Sequence, residues 1–136
     1  MRPTIKSDNR RQHDRFLVPP MYTRIAIRPS DSEQFIWDGH AYDISEGGIQ
    51  FEIDQALEPG AQIGIRIELP GRGLTSRQLI GAERLPVYAL GNVVWVDDDD
   101  GLGPCRIAAV FSKFTKAGDR DRLLARLASG YFTRAA

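Results

Sequence analysis

Ile63, Ile65, Ile67 and Leu69 alternate with Gln62, Gly64, Arg66 and Glu68, the period-two pattern of a strand with one buried face. Gly60 precedes this run, and Pro70 and Gly71 end it. The same period sets Met21, Ile25 and Ile27 against Arg24 and Arg28, and Ile49, Phe51 and Ile53 against Gln50 and Glu52. Residues 35–37 and 40–44 read as one extended segment interrupted at Asp38 and Gly39, and residues 87–96 and 106–111 supply two more strands. Turn chemistry fills 29–33 and 97–101, while 70–85, with three glycines, reads as a longer loop of unassigned role. From residue 118 the apolar period lengthens to that of a helix. Leu123, Leu124, Leu127 and Tyr131 share a face, Asp119 and Asp121 fall in the first turn, and Gly130 is a stop. Residues 1–20 carry no apolar periodicity, and Pro19–Pro20 closes them.

Six short antiparallel strands in one small chain are best satisfied by closing into a barrel, which removes exposed edges. The expected fold is therefore all-β: a six-stranded antiparallel barrel over residues 21–115. A flexible arginine-bearing arm over 1–20 precedes it, and a C-terminal helix within 116–136 covers a barrel opening or a sheet face. At 136 residues this is one domain with one core.

Charge changes the picture only locally. Eighteen basic and eighteen acidic side chains cancel, so no global field recruits nucleic acid or membrane. Residues 1–28, however, hold seven cations against two anions, an asymmetry that suits an anionic ligand at that end. The lone Cys105 cannot form an internal disulfide and reads as a small buried hydrophobe. No apolar run approaches the roughly 18–20 residues that span a bilayer, and the basic N-terminus lacks the apolar core of a signal peptide. A cytoplasmic protein without membrane insertion is expected, as monomer or homodimer.

Chemistry concentrates in two places. Arg11-Gln12-His13-Asp14-Arg15 sets two arginines four apart with Arg10 before them, and Asp43-Ile44-Ser45-Glu46-Gly47-Gly48 connects two strands. A guanidinium fork matches phosphate oxygens or the O6/N7 edge of guanine. A carboxylate does the opposite and accepts from guanine N1 and N2. The serine is placed to bridge base and phosphate, and either glycine suits a positive φ or a close approach to a flat ring. Asp-x-Ser-x-x-Gly also describes an ordinary hairpin in which Asp and Ser bond their own backbone.

Taken jointly, the two segments resemble the signatures of the PilZ domain family of cyclic di-GMP receptors. Arg11 and Arg15 match its Arg-x-x-x-Arg signature, and Asp43, Ser45 and Gly48 match Asp/Asn-x-Ser-x-x-Gly. Residues 57–60, 91–95 and 109–111 are similar to later parts of the family pattern, and Ala108 departs from it where glycine is common. The resemblance implies a non-catalytic receptor. Arg11 and Arg15 would grip phosphates and a guanine Hoogsteen edge, Asp43 would read the Watson–Crick edge, and Ser45, Gly47 and Gly48 would line the pocket. Arg10, just before the signature, implies two stacked ligand molecules rather than one. A downstream protein partner is expected, and a family member that has lost the ligand and acts as an adaptor is the alternative.

Other chemistries find little support. His13 and His40 have no cysteine or carboxylate at ligand spacing, so no metal or other cofactor is expected. The acidic run 97–100 lacks the glycine and glutamate positions of a calcium loop. Gly101-Leu102-Gly103 lacks the strand-to-helix context of a dinucleotide fold. Ser45 has no histidine partner at a known spacing, which leaves a phosphodiesterase without machinery. A nucleic-acid-binding barrel is opposed by the neutral charge. Trp37 and Trp95 read as core or barrel-rim aromatics, with stacking on a base as the alternative.

Overall fold

The computed structural model describes residues 15–17, 23–69, 86–97 and 104–128, with the backbone of 133–134. Arg10, Arg11, His13, the 70–85 loop, the 98–103 turn and Tyr131 lie outside the described residues. The strands are β1 (Arg15–Leu17), β2 (Arg24–Pro29), β3 (Trp37–Ser45), β4 (Gly48–Ile53), β5 (Gln62–Glu68), β6 (Val87–Asp97), β7 (Cys105–Phe114) and β8 (Thr133–Arg134), with helix α1 (Asp119–Leu127) between the last two. Neighbours follow the order β2–β5–β6–β7–β4–β3, and β2 also pairs with β3. Six antiparallel strands therefore close into the expected barrel.

β3 is long enough to serve two neighbours on one edge. Its first half pairs with β2, from Trp37 opposite Ile27 to His40 opposite Arg24, and its last three residues pair with β1. β1 pairs in turn with β8. Arg15–Leu17, read from the sequence as part of an unpatterned arm, thus forms a strand on the barrel. Phe16 is the reason, since it packs against the core between outward Arg15 and Leu17. The break expected at Asp38 and Gly39 does not occur, because β3 runs through both. Gly39 instead permits a close approach, since a Cβ there would collide with the Glu52 carbonyl of β4.

Inward positions form one core. Ile25, Ile27, Ile44, Phe51, Ile53, Ile65, Ile67 and Ile107 are essentially inaccessible, and each such side chain contributes roughly 1.5–3 kcal/mol by leaving water. Cys105 belongs to the same core. β3 would break the pattern without a correction. Ala41 and Ile44 are both buried although three residues apart, an odd spacing that puts two positions of a regular strand on opposite faces. A bulge resolves this: Ala41 faces Phe51 and Asp43 faces Gln50, leaving Tyr42 as the extra residue. Ile44 stays in the core while Asp43 and Ser45 face outward.

α1 closes one barrel end. Leu123 and Leu127 enter the core cluster, while Arg126 reaches the Leu69 carbonyl at 3.5 Å and Arg122 the Pro86 carbonyl at 3.1 Å. The helix therefore lies between the exit of β5 and the entry of β6. Asp119, expected only as a first-turn carboxylate, is 1% exposed and anchors the helix. It accepts from the Tyr88 N–H at 2.7 Å and pairs with Arg122. The helix ends at Leu127, earlier than the sequence suggested.

Candidate functional site

Pairing of β1 with β3 brings Arg15, the second arginine of the first signature, beside the second signature. Arg15 stands directly opposite Ser45, Phe16 opposite Ile44 and Leu17 opposite Asp43. Arg15 and Asp43 share the outer face, with Nη1 3.8 Å from Oδ2. The Arg15 Nε is buried and has no hydrogen-bond partner among the described residues, so a donor stands ready for an acceptor brought from outside.

Ser45 is fully built into the β3–β4 turn. Its hydroxyl accepts from the N–H of Gly47 at 3.0 Å and of Gly48 at 3.1 Å, which fixes a short turn through Glu46 and Gly47. The oxygen is then spent on the backbone, and the hydroxyl proton stays available to donate outward. Neither turn glycine takes the positive φ considered for it. Among the described glycines that conformation falls at Gly60 (93°) and Gly118 (84°). Gly48 is needed for proximity instead, because a Cβ there would stand 2.5 Å from the Ala109 carbonyl of β7. Gly47 offers its own carbonyl to the Phe111 N–H at 2.9 Å.

Cross-strand register extends the site into a surface. One outward row runs Arg15, Ser45, Gly48, Val110 and Asn92, and the next runs Leu17, Asp43, Gln50, Ala108 and Trp95. At about 4.8 Å between strands, Asp43 and Trp95 are about 14 Å apart along the sheet. Trp95 and Val110 are both exposed, at 44% and 47%, leaving a flat apolar shoulder beside the polar pair. Trp37 packs against the core, so of the two tryptophans only Trp95 faces outward here. The small Ala108 lies between Gln50 and Trp95, where a larger side chain would stand in the row.

A third row is polar. His40 faces Glu52, and Glu52 faces Arg106. His40 Nε2 lies 3.5 Å from Glu52, the Tyr42 hydroxyl donates to the same carboxylate, and Arg106 stacks 4.0 Å over the Tyr42 ring. The Glu52 hydrogen bond, helped by desolvation, raises the Tyr42 phenol above its ordinary pKa. Sequence reading placed Gln50 and Glu52 on the outward side of their strand but missed the rest of this row and the Ala108–Val110 surface, because register across the bulges decides those positions. Among the described residues no group of three or more His, Cys, Asp or Glu side chains is arranged to hold a metal. No described helix is long and apolar enough to cross a membrane.

Known structures share this fold. The chain is similar in structure to the Bacillus subtilis inhibitor of motility MotI/DgrA, with TM-score 0.61 and 21% identity over 88% of this chain. This chain covers half the length of that protein. It is also similar to the PilZ domain of YcgR from Escherichia coli, a structure with c-di-GMP, with TM-score 0.57 and 14% identity over 88% of this chain and 90% of the other. Among curated proteins, none matches the sequence. PilZ domains are typically non-catalytic receptors, and their family pattern matches residues 9–129. This chain belongs to the PilZ domain family.

Proposed function

We propose that the chain is a cyclic di-GMP receptor whose ligand lies on the outer face of β3, β4 and β7. The observation that carries this is the register of β1 on β3, which sets Arg15 opposite Ser45 and beside Asp43. A cyclic dinucleotide brings two phosphates and two bases. Arg15 meets the acceptors, Asp43 takes the guanine N1 and N2 protons, and the Ser45 hydroxyl donates to a phosphate. Gly48 leaves the surface low beneath the ring, and Trp95 offers a stacking face. In this proposal Arg10 and Arg11, five and four residues ahead of Arg15, supply further guanidinium groups to the phosphates. The YcgR domain seen with c-di-GMP supports the ligand class.

Binding also orders the arm in this proposal. Residues 1–14 hold few apolar side chains, so they cannot offset an ordering cost of about 1–2 kcal/mol per residue without help. A polyanion neutralises Arg10, Arg11 and Arg15 together and fastens the segment ahead of β1. The new surface of arm plus barrel is what a protein partner reads.

Calorimetry with two dinucleotides tests the assignment. Wild-type protein should bind cyclic di-GMP far more tightly than cyclic di-AMP, because adenine N1 carries no proton for Asp43, and Asp43→Ala should narrow the gap. The endpoint should be two ligands per chain, falling toward one in Arg10→Ala. Equal affinity for both dinucleotides would remove Asp43 from its role. No binding by a folded protein would leave the adaptor reading.

A further inference from the structure

β7 outruns the strand beside it. β4 covers it from Cys105 to Val110, and one further hydrogen bond joins the Phe111 N–H to the Gly47 carbonyl. Beyond that point β6 still pairs with Lys113 and Phe114, but no described strand lies on the other side. The β3–β4 turn stops short there. A cleft of about 570 Å³ opens between that turn, the end of β7 and the first turn of α1. Phe111 and Phe114 line it, half-buried, with ring centroids 5.2 Å apart. Lys113, Lys116 and Arg120 also line it and are exposed. Two carboxylates share the cleft: Glu46, which pairs with Arg120, and Asp121.

We propose that this cleft docks an extended, acidic segment of a protein partner, added as a strand beside residues 112–114 in the position that β4 leaves open. Three features meet in that occupant. A strand edge that no described strand covers offers backbone donors and acceptors that only another extended backbone uses fully. Side chains of an added strand alternate, so every second residue rests on Phe111 and Phe114 while the others reach Lys113 and Lys116. The cleft of about 570 Å³ is open to solvent along this edge, so an extended segment can lie in it. A compact anion would satisfy the lysines and leave both rings and the strand edge unused. The proposal goes beyond nucleotide recognition and does not depend on it, although both surfaces share the Glu46–Gly47 turn.

The test uses the full chain, isotope-labelled, and an acetylated, amidated octapeptide alternating Glu and Val. Its additions should shift the amides of 111–116 and 118–121. Binding should weaken at least roughly tenfold, about 1.4 kcal/mol, in Lys113→Glu/Lys116→Glu protein whose far-ultraviolet circular dichroism is unchanged. Methylating alternate peptide nitrogens should abolish it, because strand addition needs those donors. Three results would overturn the proposal: equal affinity for a Lys–Val octapeptide, no shifts in these residues, or indifference to the double substitution. Inorganic pyrophosphate producing the same shifts at the same concentration would show a small-anion site instead and overturn it as well.

Discussion

Two walls of this barrel obey different rules. From β2 across β5 to the first half of β6, every pair stays in register, from Arg24 opposite Glu68 to Pro29 opposite Ile63 and from Gln62 opposite Asn92 to Ile67 opposite Val87. Ile25, Ile27, Ile63, Ile65 and Ile67 fill the inside of that wall. The wall of β3, β4, β7 and the rest of β6 is interrupted three times, at Tyr42, at Val94 and near Gly91, where Ser112 is the extra residue on β7. Regular alternation commits every second residue of a strand to the core. Bulges re-aim side chains without giving up the core, and here Asp43 turns outward while Ile44 stays buried. The inside of both walls fills the core, and the interrupted wall also carries the proposed ligand site.

The largest effect should fall on the regular wall. Ile65 is completely buried, and Ile65→Ala should cost about 2–5 kcal/mol in urea denaturation, as buried aliphatic truncations do. Affinity of the folded protein for cyclic di-GMP should not change. A loss of stability below about 1 kcal/mol, or a large loss of affinity at full folding, would erase the distinction between the walls.

Arg15→Ala should behave in the opposite way. Binding should weaken by about 1.5–3 kcal/mol, roughly ten- to a hundredfold, as expected for a charge-assisted hydrogen bond. Stability should change far less, because a partly exposed pair such as Arg15–Asp43 contributes about 0–1 kcal/mol. Calorimetry and denaturation on the same preparation separate the two quantities. Unchanged affinity would show that β1 does not bring the first signature to the ligand.

This contrast also explains what the sequence disclosed. Alternation at residues 63–69 and 49–53 placed β5 and β4 and their inward faces, and six such strands implied closure. Asp43, Ser45 and Gly48 were legible as a motif, and the turn through Glu46 and Gly47 followed from them. Reading failed where register rather than composition decides. Phe16 alone is too short a signal to announce β1, and nothing local marks Tyr42, Val94 or Ser112 as extra residues. Gly39 looked like a break because the crowding that requires it comes from Glu52, thirteen positions away in the chain. Asp119 looked like a dipole partner because Tyr88 and Arg122 meet it only through folding.

The smallest effect belongs to Tyr42 at its bulge. Its phenol is held above the ordinary tyrosine value of about 10 by the Glu52 hydrogen bond. A group whose pKa rises on folding adds stability below its unfolded pKa and loses it as pH climbs through the folded value. Wild-type stability should therefore fall above about pH 10 by slightly more than that of Tyr42→Phe. Ultraviolet titration of Glu52→Gln should show the Tyr42 ionisation at a lower pH than in wild type. An unmoved ionisation would show that Glu52 does not hold the phenol.

The central claim is that the interrupted wall, and not the regular one, receives cyclic di-GMP, and amide and indole chemical-shift mapping tests it most directly. Titration of isotope-labelled protein should move Arg15, Asp43, Ser45, Gly48, Val110 and the Trp95 indole together, with one saturation curve, while Ile25, Ile27 and Ile65 stay in place. Shifts confined to β2 and β5, or a saturable titration that leaves Arg15, Asp43 and Ser45 unmoved, would contradict it.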